Sequence, residues 1–272
     1  MLIDTFDAAW LGELDARAAE RAPHHHLYVL IDGVFVPGLH RKLADERKII
    51  LFASLPACTE ETADASPFLT PLDSGDAGLK TLLRRCDRWP MVSVIETPES
   101  LQQLGRRLAA WCVVEADGQR FNFRFPDTRR LPAIFAALNP AQRARFAGLA
   151  TRWAYMARDG RWRDLPVQAS AAEIAVDPIV DAHQFADLVA DSLPDELMVL
   201  LNDRGHEVYR SPSRSHALLT NALRAAKAAA MGDEDLSSWC EWVWLQDRLC
   251  EGAAVPDMLA AWRATYHEDD DA

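Results

Sequence analysis

Apolar positions in the first half of the chain come in short runs with few polar interruptions. In the second half they recur at helical spacing. Leu27–Ile31, Ile49–Phe52, Met91–Ile95 and Trp111–Val114 are each the length of a strand. Continuous rather than alternating apolarity predicts strands covered on both faces, the habit of parallel sheets. Between them, residues 37–48, 76–88 and a segment opened by Thr97-Pro98 predict helices, with Thr97 as the cap and Leu101, Leu104 and Leu108 as the apolar stripe. Leu27–Ile31, the 37–48 helix and Ile49–Phe52 therefore read as a βαβ unit with a right-handed crossover. Pro67–Leu72 has strand composition but two prolines, which assigns it to a sheet edge. Asp117-Gly118 predicts a hairpin turn into the alternating run Arg120–Phe125, an antiparallel addition. The expected fold is α/β, a mixed, mostly parallel sheet flanked by helices, followed by a smaller all-helical C-terminal lobe.

Helical signals frame this core. Residues 4–22 carry Trp10, Leu11 and Leu14 on one side and stop at Pro23. Segments 130–138 and 140–148 read as two short helices, the second capped by Asn139 with Pro140 at its first position. Asp159-Gly160 predicts another turn, and residues 164–177 a linker. Beyond Asp177-Pro178 the pattern is helical throughout, at 179–191, 194–202, 213–231, 236–250 and 255–266, before the acidic tail Glu268–Asp271. The chain thus divides into an N-terminal helix (1–24), an α/β domain (25–165) and a helical C-terminal lobe (166–272).

Charge sharpens that division. Of the net −12, residues 1–165 contribute +1, from 22 basic and 21 acidic side chains; residues 166–272 contribute −13, from 7 and 20. An acidic lobe disfavours nucleic acid and anionic membrane as partners and suits a basic protein surface, or simply solubility. At 49% hydrophobic residues the 272-residue chain has ample material for a core, yet no run reaches the length of a membrane span. With no basic, apolar leader pattern at the start, the expected compartment is the cytoplasm. Five cysteines, at 58, 86, 112, 240 and 250, include no paired CxxC spacing, so reduced buried thiols are expected rather than disulfides or a zinc site. His24-His25-His26 enters an extended segment, where neighbouring side chains point to opposite faces, and reads as a strand entry rather than a metal site.

No nucleophile elbow, metalloprotease helix, phosphate loop or dinucleotide fingerprint occurs, and no cofactor is implied. Asp32 follows the first strand, a position where α/β enzymes keep catalytic groups, although Asp32-Gly33 also suffices as a turn. The most unusual polar feature is the corner after Phe125, where Arg124, Asp127, Arg129 and Arg130 crowd together. Asp127 reads as a clasp that fixes the corner through a bidentate arginine pair. Phe121, Phe123 and Phe125 share one face by period 2 and read as core. Trp239, Trp242 and Trp244 cannot share one narrow stripe, so their helix is either buried on most sides or offers an aromatic contact surface.

Several of these pieces in order carry a resemblance. Leu27-Tyr28-Val29-Leu30-Ile31-Asp32-Gly33, then Leu51-Phe52, Ser66-Pro67-Phe68-Leu69, Phe123-Arg124-Phe125-Pro126-Asp127-Thr128-Arg129 and Leu138-Asn139-Pro140-Ala141-Gln142 together resemble the effector-adaptor chaperones of bacterial type VI secretion, the Tap/TEC type. The likeness spans roughly residues 25–150. It departs at the corner, where family members read Arg-Phe-Tyr-Asp-Pro-Arg and here the proline stands before the aspartate. The resemblance implies a non-enzymatic cytoplasmic adaptor that binds a cognate effector and helps load it onto the VgrG spike, with a divergent helical lobe for cargo recognition. On that reading Arg124, Arg129, Arg130, Trp239 and Trp242 are the partner-binding candidates. The alternatives are an α/β-class enzyme with a site near Asp32, or an immunity protein whose acidic lobe caps a basic toxin.

Overall fold

The computed structural model describes residues 1–55, 58–73, 75–250, 252 and 254–267, so the acidic tail lies outside the described residues. Two compact units divide the chain, Met1–Asp191 and Ser192–Ala272. Among the described residues the strands are β1 (His26–Ile31), β2 (Ile49–Ile50), β3 (Phe68–Pro71), β4 (Val92–Thr97), β5 (Val113–Ala116), β6 (Gln119–Asn122), β7 (Arg152–Met156) and β8 (Trp162–Asp164). The helices are α1 (Trp10–Ala19), α2 (Glu60–Ala65), α3 (Ala77–Leu83), α4 (Leu101–Ala110), α5 (Leu131–Ala137), α6 (Pro140–Ala147), α7 (Ala182–Asp203), α8 (Pro212–Ala228), α9 (Asp233–Gln246) and α10 (Ala254–His267).

The main sheet of the first unit runs β2-β3-β1-β4-β7-β8, and every neighbouring pair in it is antiparallel. This corrects the expectation of a mostly parallel sheet. The apolar runs do report cover on both faces. Tyr28 and Leu30 enter one core with Leu104, Phe125, Phe146 and Trp153, whereas Leu27, Val29 and Ile31 enter a second with Trp10, Leu14, Leu79 and Leu83. Burying each such aliphatic side chain contributes roughly 1.5–3 kcal/mol whichever way the neighbouring strand runs. Cover therefore says nothing of direction. Direction follows from where the chain returns, and both Phe68 of β3 and Val92 of β4 pair with Ile31, so both strands begin where β1 ends.

The expected βαβ unit is absent for the same reason. Residues 37–48 form two short 3-10 turns, Leu39–Lys42 and Asp45–Arg47, instead of a crossover helix. β2 and β1 point the same way, but β3 lies between them and runs against both. β2 faces only Phe68 and Leu69, so Pro71 sits past its end, where the missing N–H is harmless.

The Asp117-Gly118 hairpin joins β5 to β6, with φ of +49° and +70° at the two turn residues, as a primed turn requires. This pair stands apart from the main sheet. Alternation stops at Asn122, and Phe123 and Phe125 turn into the core. The 164–177 stretch is packed rather than free: Leu165, Val167 and Ala175 join the first core, and Ser170 N–H donates to Gly148 O at 2.7 Å. Ser100, not Thr97, caps α4, in a reciprocal box with Gln103.

Among its described residues the second unit is helical. Residues 179–202, expected as two helices, instead hold one, α7, which continues through Pro194. α8, α9 and α10 pack a core that includes Leu219, Ala222, Trp239, Val243 and Trp262. Among the described residues the cysteines are free thiols, and burial pushes those of Cys86, Cys112 and Cys240 up to about 12. No described helix is long and apolar enough to cross a membrane.

Candidate functional site

Three strand ends meet at Asp32. Its N–H donates to Met91 O at 2.9 Å, and Thr128 N–H donates to Pro90 O at 2.9 Å. The second bond brings the Arg124–Arg130 corner to the same end of the sheet. Two carboxylates and two guanidiniums then form a chain. Arg124 Nη2 donates to Asp32 Oδ2 at 3.0 Å and lies 3.9 Å from Asp127 Oδ2. Asp127 accepts from Arg129 through N–H at 3.0 Å, Nε at 3.1 Å and Nη2 at 2.7 Å. Both guanidiniums lie over the Phe35 ring, at 5.8 and 5.9 Å, and Phe35 stacks on Trp89.

Asp32 and Asp127 are buried. Burial pushes the Asp32 carboxyl up to about 6, with Arg124 and the Val34 N–H pulling against it and the Asp127 charge adding to the rise. Both Asp32 oxygens are engaged, Oδ1 by Val34 N–H at 3.2 Å and Oδ2 by Arg124. A carboxyl of this acidity suits proton transfer, but one so enclosed presents little to a substrate.

The three arginines named from the sequence have different surroundings. Arg124 is the most open, with 39% of its side chain exposed, against 14% for Arg129 and 20% for Arg130. Arg130 faces elsewhere, donating to Asp191 O at 3.0 Å and Asp191 Oδ2 at 3.4 Å. The rim is basic in sequence but carries internal acid partners.

In the second unit, Trp239 is buried and donates Nε1–H to Ala222 O at 2.9 Å. It stacks on half-buried Trp242 at 5.8 Å and meets Trp262 edge-on at 5.7 Å. Half-buried Trp244 donates to Ser215 Oγ at 3.1 Å. Trp242 is therefore reachable from solvent, while Trp239 belongs to the core.

Residues 27–145 match the family model described as Domain of unknown function (DUF4123). That family is associated with type VI secretion effectors. No curated protein and no solved structure matches the chain. The DUF4123 match runs from β1 into α6 and includes Asp32 and the whole corner, and stops before β7 and the second unit.

Two features inside the DUF4123 segment were not singled out from the sequence. Arg107 and Glu99 form a buried pair, with Nε and Nη2 donating at 3.0 and 2.8 Å, while Arg107 Nη1 donates to Arg145 O and Ala172 O. The available signal was a charge set among the stripe residues Leu104 and Leu108. The second feature is an apolar groove of about 870 Å³ along β2 and α4. Its signal, small side chains at Gly105, Ala109 and Ala110 on one helix face, is weak in isolation.

Proposed function

We propose that this protein is a type VI secretion adaptor, which holds a cognate effector in the cytoplasm and helps load it onto the VgrG spike without catalysing a reaction. The observation that carries the proposal is the DUF4123 match over residues 27–145, since that family is associated with type VI effectors. The enclosure of Asp32 supports the non-enzymatic part, because both of its oxygens already accept hydrogen bonds from within the chain. Arg124 and Trp242, the more open members of the predicted set, are the first candidates for partner contact.

The experiment is co-expression of the chain with the effector encoded beside it and with VgrG, each carrying a different tag. Recovery of effector and spike through this chain is the expected result. A chain that retains neither would overturn the adaptor reading. A turnover activity abolished by Asp32→Asn would favour the enzyme alternative instead.

A further inference from the structure

The groove along β2 has the features of a docking site. β2 is the terminal strand of the main sheet. Ile49 packs against one core and Ile50 against the other, yet both line the groove, so it follows the open edge of the strand rather than either face. Leu51 N–H donates to Pro67 O on the β3 side. By the alternation of an antiparallel ladder, the N–H of Ile50 then points outward, while its C=O, at the N-cap of the 3-10 turn Leu51–Ser54, accepts the first bond of that turn. Opposite the strand, Gly105 of α4 lets Ile49 pack so closely that a side chain there would collide with it, and half-buried Ala109 and Ala110 continue that wall of the groove. The lining is mostly apolar, with Gln102, Arg106, Arg120 and Asp177 as its polar side chains.

Charge favours one kind of occupant. Arg106 lines the groove and is exposed, and among the described residues it has no acidic partner. Arg120, also in the lining, has among the described residues only Asp177 as an acidic partner, at 3.8 Å in a pair more than half exposed on both sides. Val176, the residue before Asp177, is 86% exposed. A terminal strand edge beside an apolar trough, with two arginines in its lining, matches an extended apolar segment that carries acidic residues.

We infer that the groove binds an extended, acid-flanked apolar segment of a partner protein, which adds alongside β2 and places its acidic residues on Arg106 and Arg120. This rests on the adaptor reading in that the segment would belong to the cargo.

The test uses labelled synthetic peptides and fluorescence anisotropy with the full chain. One peptide alternates valine and threonine between terminal aspartates. A second replaces the aspartates with lysines, and a third places proline at its centre. The aspartate peptide should bind, the lysine peptide about tenfold more weakly, and the proline peptide not measurably, because it cannot complete the ladder. Arg106→Glu should reverse the aspartate-over-lysine order. Ala53→Asp, at an exposed groove position, should abolish binding with the thermal unfolding midpoint unchanged. Equal binding of the three peptides, no binding of any, or no reversal by Arg106→Glu would overturn the inference. So would a wild-type dimer that Ala53→Asp dissolves, since a second copy would then be the occupant. An effector captured equally by wild type and Ala53→Asp would sink the groove assignment and leave the adaptor reading standing. An effector captured by neither would count against the adaptor reading.

Discussion

Replacing Asp32 by asparagine should remove a pH dependence from the stability of the first unit. The folded carboxyl titrates at about 6, against an ordinary value of 3.8. That difference corresponds to about 3 kcal/mol, at roughly 1.4 kcal/mol per tenfold in proton affinity. Its sign follows from proton counting. Between the two values the native chain holds a proton that the unfolded chain has released, so raising the pH favours unfolding. The contribution is complete below the ordinary value and lost above about 6. Asparagine keeps the size of the side chain and has no such proton. Urea unfolding at matched pH values from about 4 to about 7 gives the stability of Asp32→Asn minus that of wild type. This difference should rise by roughly 2–3 kcal/mol over the range. Parallel curves would refute the reasoning, and a fall would mean that the pull of Arg124 exceeds the effect of burial. Arg124→Met, which removes that pull, should move the wild-type titration further upward.

Arg107→Met should destabilise the first unit by about 3–5 kcal/mol in urea, because it strands buried Glu99 without its partner; a loss near zero would mean that water replaces the guanidinium. Gly160→Ala and Gly118→Ala form a matched pair at nearly the same φ, +71° and +70°. The first should cost well over the ~1 kcal/mol expected of the second, since a Cβ at Gly160 would lie 2.1 Å from Thr5 O while nothing stands within 4 Å at Gly118; equal melting points for the two would contradict this. Trp239→Phe should cost about 1–3 kcal/mol in the second unit through loss of the Ala222 hydrogen bond and of packed volume, and Trp242→Phe less, as read by intrinsic fluorescence during urea unfolding.

What the sequence revealed and what it concealed follow from the range of the interactions involved. The Asp117-Gly118 turn and the Asn139-Pro140 cap were legible because a few consecutive residues decide them. Leu27–Ile31 was legible as a strand with two covered faces, because apolarity reports cover directly. The direction of β3 and β4 was not, since it depends on where the intervening chain returns. The same holds for α7 at Pro194, where a residue that disfavours helix locally is carried by the helix around it. At the corner, the density of charge was plain. The pairing of Arg124 with Asp32, across 92 residues of sequence, could not be read from either neighbourhood alone.

That separation also bears on the order of events in folding. The turn at Asp32 can form as soon as its neighbours are made, but its guanidinium arrives only after α2, α3 and α4 have been synthesised and β4 has brought Pro90 within reach of Thr128. Closing a loop of such length brings no reward until both ends are in place. The Asp32 carboxyl thus spends the early part of folding in water, at its ordinary acidity. Desolvation and capture by Arg124 belong together in a late step. The polar cluster is a latch closed over a sheet already largely assembled, and its substitutions should change unfolding rates more than folding rates.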